Sequence, residues 1–152
     1  MNKIIQILMV TTLLATSSVI DAFSGEGARS MQSEEAVKLA TYGHIDARGL
    51  KALIDANIPF TLLDARGNKW NDGTVIPGAQ LASYEFSSEE LERIVPNQND
   101  FIVVYCYTFT CPLSRYLTKK LVELGYNNVL EYPGGLKEWR DIAEYPVVPI
   151  EQ

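Results

Sequence analysis

The hydrophobic pattern of this chain changes period several times along its length. Residues 101–105 are apolar throughout, Phe-Ile-Val-Val-Tyr, as expected of a central parallel strand covered on both faces. After a six-residue stretch, Leu113, Leu117, Leu121 and Leu124 recur on one helical stripe. Pro112 suits the first position of that helix and Gly125 the position just past its last turn. The same alternation is visible upstream. His44-Ile45 reads as a short strand, Asp46 as a helix N-cap, and Leu50, Leu53 and Ile54 as one apolar helical face that ends before Asn57 and Pro59. The run 60–63 reads as a strand stopping at Asp64-Ala65-Arg66-Gly67, and Ile76-Pro77-Gly78-Ala79 as a turn leading into a brief strand at 80–82. Ser87 and Glu90 form a predicted capping box, Leu91, Ile94 and Val95 the apolar side of its helix, and Pro96 the stop. Residues 128–131 make the last predicted strand, followed by Pro133-Gly134-Gly135 and a short helix through Trp139. Alternating strands and helices with short links predict an α/β fold built on a mostly parallel sheet.

The first segment follows a different logic. Lys3 precedes an apolar stretch from Ile4 to Ala15, and small residues follow at Ser17 and Ser18. That is the layout of a secretory signal peptide. Gln6, Thr11, Thr12 and Thr16 interrupt the stretch, which falls short of the roughly 20 residues that span a bilayer. The expected organisation is a signal peptide at 1–22, with an uncleaved membrane anchor as the alternative. A linker and short leading helix follow at 23–41, then one domain at 42–150. The expected location is periplasmic or secreted, an oxidising setting for thiols, and no membrane contact is expected beyond the leader.

Composition narrows the function classes. The 152 residues suffice for one domain, and 47% apolar with 21% charged residues is the balance of a globular protein. A net charge of -6 argues against a nucleic-acid partner, because phosphates call for a basic face. Losing Lys3 and Asp21 with the leader leaves that charge unchanged. Two cysteines and one histidine make neither a disulfide framework nor a good zinc site, so no metal or cofactor is expected. Any chemistry then falls to the cysteines.

Cys106 stands where the most apolar strand ends, and sites in open α/β sheets form at the carboxyl ends of strands. The segment Cys106-Tyr107-Thr108-Phe109-Thr110-Cys111 links that strand to a helix N-terminus. Inward-turned amides and the helix dipole there would favour an anion and a nucleophilic thiolate. A buried, inert strand-end cysteine is the competing reading. Tyr107 and Phe109 either pack down as core or contact a larger thiol or protein substrate. Cys111 has three open roles: a resolving thiol, a redox lock formed by a disulfide to Cys106, or a passive small residue.

Four segments in order, Leu62-Leu63-Asp64-Ala65-Arg66, Gly73-Thr74-Val75-Ile76-Pro77-Gly78-Ala79, Val103-Val104-Tyr105-Cys106, and Tyr132-Pro133-Gly134-Gly135-Leu136-Lys137-Glu138-Trp139, resemble the rhodanese-like domain family. The resemblance spans about Tyr42 to Pro149. It implies a three-layer fold with a five-stranded parallel sheet flanked by helices. It also implies a sulfurtransferase reaction in which Cys106 takes a sulfane sulfur from a small donor such as thiosulfate or a persulfide, and passes it to a thiol acceptor, including a protein thiol. Asp64 and Arg66 are then a supporting pair after a strand, and Gly134 and Gly135 let a turn approach the active loop. The family's loop pattern of Cys, four residues and Arg has Cys111 in the Arg position here, followed by Pro112. A His common before the Ile-Pro-Gly turn is Thr74. These departures keep two alternatives in play: a binding module without turnover, and a thiol-disulfide redox protein using Cys106 and Cys111. Arg115, Lys119 and Lys120 read as a solvated helix face, and His44 as a surface group.

Overall fold

The computed structural model describes residues 42–150. The expected leader and linker lie outside the described residues. The elements are β1 (Gly43–His44), α1 (Ala47–Asp55), β2 (Thr61–Asp64), β3 (Thr74–Val75), β4 (Ala79–Leu81), α2 (Ser88–Ile94), β5 (Phe101–Tyr105), α3 (Leu113–Glu123), β6 (Asn128–Tyr132), α4 (Gly135–Lys137), a π-helical turn at Glu138–Ile142, and β7 (Val148–Pro149). Five strands form one sheet in the order β1-β6-β5-β2-β4, and every pairing within it is parallel. The α/β class and the five-stranded parallel sheet expected from the sequence are therefore present.

The uniform apolarity of β5 follows from its central position. Ile102 and Val104 point into a core with Leu91, Leu117 and Leu121, while Val103 and Tyr105 point into a second core with Leu50, Leu136 and Trp139. Helices α2 and α3 cover the first face, α1 and α4 the second. Burial of a Leu or Ile side chain contributes about 1.5–3 kcal/mol, so these two clusters outweigh any single polar contact in holding the sheet. Local signals agree with the packing. The Asp46 carboxylate accepts from the Gly49 N–H at 2.7 Å, and the Ser87–Glu90 capping box is formed in both directions.

Three local features depart from the sequence expectation. Residues 74–75 extend and pair antiparallel with β7, where only turn chemistry was legible; two-residue strands are too short to show a period. Pro112 is the cap of α3 rather than its first residue, although its φ of -84° is already helical. The last helix widens after one turn, and the Ala143 N–H reaches back to the Glu138 carbonyl. One side chain also departs. Lys120 is half-buried, and its Nζ donates to the carbonyls of Tyr84 (2.9 Å) and Phe86. It ties the segment after β4 to α3, so it is not part of a solvated face.

Candidate active site

The loop 106–111 leaves the sheet where β5 lies between β2 and β6. Its first residues are held from two sides. The Ala65 N–H donates to the Tyr105 carbonyl at 2.8 Å, and the Leu136 and Lys137 N–H groups donate to the carbonyls of Cys106 and Tyr107, both at 2.9 Å. Gly135 makes the second contact possible. Its φ is +66°, and a Cβ there would lie 2.6 Å from the Cys106 carbonyl oxygen and 2.7 Å from the Tyr107 carbonyl carbon. Only glycine combines this conformation with that approach. At Gly134 a Cβ would meet the Glu138 carboxylate instead, so this residue serves the following turn rather than the loop itself.

Within the loop, Thr108 organises the chain. Its carbonyl accepts from the Cys111 N–H at 3.0 Å, its hydroxyl accepts from the Thr110 N–H at 3.3 Å, and the two threonine hydroxyls lie 3.0 Å apart. Two loop amides are thereby used internally, so the anion nest expected from the sequence is narrower than six residues could make. The positive end of the eleven-residue α3 faces this end of the loop without a side-chain cap.

The turn brings the two cysteines together as a disulfide, with Cα atoms 6.3 Å apart. In this state Cys106 is not the free thiolate expected from the sequence. It is buried, with 1% of its surface exposed, whereas Cys111 is half-buried. Tyr107 and Phe109 point outward, 39% and 66% exposed. Neither belongs to the described cores.

Asp64 and Arg66 form the buried polar anchor beneath the loop. The Arg66 Nη2 donates to Asp64 Oδ2 at 2.7 Å and to the Thr74 carbonyl at 2.6 Å, while Nη1 donates to Asp72 Oδ1 at 3.1 Å. Burial opposes the Arg66 charge, but the hydrogen bond and charge of Asp64, with help from Asp72, hold its pKa above the ordinary value. For Asp72, burial acts to raise the pKa; donation from the Thr74 hydroxyl, Arg66 and Arg140 outweighs it and leaves the carboxyl well below its usual range. Tyr105 joins the anchor. Its hydroxyl accepts from the Ile76 N–H at 3.1 Å, and burial, followed by the Asp64 charge, raises its pKa. The guanidinium is thus committed to carboxylates, and offers little net charge to a ligand.

Both cysteines line a cavity of about 670 Å³, whose walls include Arg66, Trp70, Tyr84, Phe86, Tyr107 and Leu113. Trp70, 63% exposed, and the Tyr84–Phe86 segment were not singled out by sequence reasoning. Their one legible signal is the presence of aromatics in turn-rich stretches that no helical or strand period requires. His44 does not line this cavity; it is exposed, with Nε2 3.4 Å from the Glu131 carboxylate. That buried carboxylate also accepts from the Ser114 hydroxyl at 2.8 Å. Among the described residues, no group of three His, Cys, Asp or Glu side chains could hold a metal ion.

A parallel sheet with a cysteine loop at the end of its central strand defines the class, and the rhodanese-like domain model matches residues 46–142. The chain belongs to the rhodanese-like domain family. Among solved structures, a Bacillus halodurans protein aligns at 19% identity with a TM-score of 0.64, over 83% of this chain and 87% of the other. The rhodanese-like domain of an Anabaena sp protein aligns at 26% identity and 0.59, over 72% and 81%. The Pseudomonas aeruginosa thiosulfate sulfurtransferase aligns at 19% identity and 0.59, over 83% of this chain and 23% of that one. No curated protein sequence matches.

Proposed function

We propose that this protein is an exported sulfurtransferase whose reduced Cys106 carries a sulfane sulfur. Its thiolate attacks the outer sulfur of a donor; the donor S–S bond breaks as the Cys106 persulfide forms, and sulfite or a thiolate leaves. A thiol acceptor then takes the sulfur. The observation that carries this reading is the position of Cys106. It directly follows the central strand, is bonded to the cysteine that precedes the α3 cap, and lines the one cavity among those described that contains both cysteines. Membership of the rhodanese-like family agrees with sulfur-transfer chemistry.

The walls favour one kind of donor. Cys111 stands where the family pattern has a cation, and Arg66 is neutralised by Asp64 and Asp72. A thiosulfate dianion therefore finds few fixed positive groups, while Trp70, Tyr84, Phe86 and Tyr107 offer aromatic surface. An organic persulfide fits better than an inorganic dianion. Residues 1–22 act in this reading as the export signal.

The test compares sulfur transfer to a thiol acceptor, under reducing conditions, from thiosulfate and from a small organic persulfide. Turnover should favour the persulfide and vanish in Cys106→Ala. The disulfide itself favours a second reading, thiol-disulfide exchange without sulfur transfer. Ready exchange with dithiols and no sulfur transfer from either donor would select that reading.

A further inference from the structure

We infer that Cys111 is a second catalytic residue, which discharges the Cys106 persulfide within the same chain and makes the site a persulfide reductase that releases hydrosulfide. The inference rests on the sulfur-carrier reading of Cys106.

The loop geometry carries it. The Thr108 turn, closed by the Cys111 N–H and the Thr110 N–H, folds position 111 back onto position 106, and the two sulfurs reach bonding contact with β5 and α3 both formed. Cys106 is pinned from behind by the Gly135 approach and the Leu136 N–H. A nucleophile held so close to an electrophilic sulfur reacts with the advantage of an intramolecular step. It competes directly with any thiol that must diffuse into the cavity. The residue sits where a substrate-holding cation would otherwise stand, so the loop exchanges a charge that binds anions for a thiol that attacks sulfur.

The step balances. The Cys111 thiolate attacks the inner sulfur of the Cys106 persulfide; the Cys106–Cys111 disulfide forms, the persulfide S–S bond breaks, and hydrosulfide leaves with the bonding pair. The sulfane sulfur is reduced by two electrons, and the two cysteine sulfurs supply one each. The site then needs an external dithiol for reset. Exposure assigns the point of attack: both cysteines line the cavity, but Cys111 is half-buried whereas only 1% of the Cys106 surface is exposed. The incoming thiolate thus bonds to the Cys111 sulfur, and Cys106 leaves as a thiolate beside the α3 N-terminus, where an anion is favoured.

The experiment uses the full chain, reduced and then freed of reductant, mixed anaerobically with an equimolar small-molecule persulfide. Sulfide is trapped and the intact protein mass is read. Wild type should release hydrosulfide stoichiometrically, lose two hydrogens and keep no added sulfur. Cys111→Ser should keep the sulfur on the protein and release no hydrosulfide above that of Cys106→Ala. If wild type retains the sulfur as fully as Cys111→Ser, the resolving role is overturned while the sulfur carrier stands. If Cys111→Ser takes up no sulfur, the carrier reading fails and the resolving role falls with it.

Discussion

Gly135 packs closely against the backbone of the active loop, and its replacement by alanine tests that junction quantitatively. Two effects add. At φ +66° a side chain incurs the left-handed strain of about 1–2 kcal/mol. The new Cβ would also sit 2.6 Å and 2.7 Å from the Cys106 and Tyr107 backbones, and such overpacking costs about 1–3 kcal/mol where the neighbours cannot yield. The neighbours here are main chain, so relief requires the loop to move and the Leu136 and Lys137 donations to lengthen. Gly78 isolates the first effect: its φ is +82° and nothing lies within 4 Å of its Cβ position. Gly135→Ala should therefore lower stability by about 2–5 kcal/mol, at least about 1 kcal/mol more than Gly78→Ala. The assay is urea unfolding of the oxidised proteins, comparing midpoints at unchanged slope. Equal losses for the two variants would refute the close-approach argument.

Other expectations follow from the buried polar anchor. Arg66→Met leaves the Asp64 carboxylate buried without its partner and should cost about 3–5 kcal/mol, measured by the same unfolding curves; a loss below about 1 kcal/mol would contradict the pairing. Tyr105→Phe strands the buried Ile76 N–H and should cost about 1–3 kcal/mol. Thr118→Val should raise the melting temperature, because the Thr118 hydroxyl is buried without a hydrogen-bond partner among the described residues. For pH, Asp72 has a folded pKa below its unfolded one, so its contribution is present above the ordinary carboxylate pKa. That contribution is lost as pH falls from there toward the lower folded value. Asp72→Asn should flatten the acid limb of a stability-versus-pH curve, and an unchanged limb would count against the Arg66–Asp72–Arg140 network.

The sheet was legible because its signals are long-range in composition and short-range in sequence. Five consecutive apolar residues at 101–105 can only be covered on both faces, and Asp46 and Ser87 announce their helices by the groups they cap. The site was legible in part. A cysteine at the end of that strand, before a helix, is a local pattern, and so was the chance that Cys111 reaches it. What escaped depends on contacts between distant segments. Trp70, between β2 and β3, and Tyr84, between β4 and α2, share a cavity with the cysteines only once those distant connections are folded. Lys120 resembles a surface cation until the carbonyls of Tyr84 and Phe86 are folded over it. The outward direction of Tyr107 and Phe109 is likewise set by the Thr108 turn, which hydrophobicity alone does not encode.

The most direct measurement is the location of a transferred sulfur. Reduced Cys111→Ser protein, treated with a small organic persulfide and digested without reductant, should carry one added sulfur on the peptide containing residue 106, and fragmentation should place it on Cys106. A peptide recovered without that sulfur, or a sulfur found elsewhere in the chain, would contradict the account.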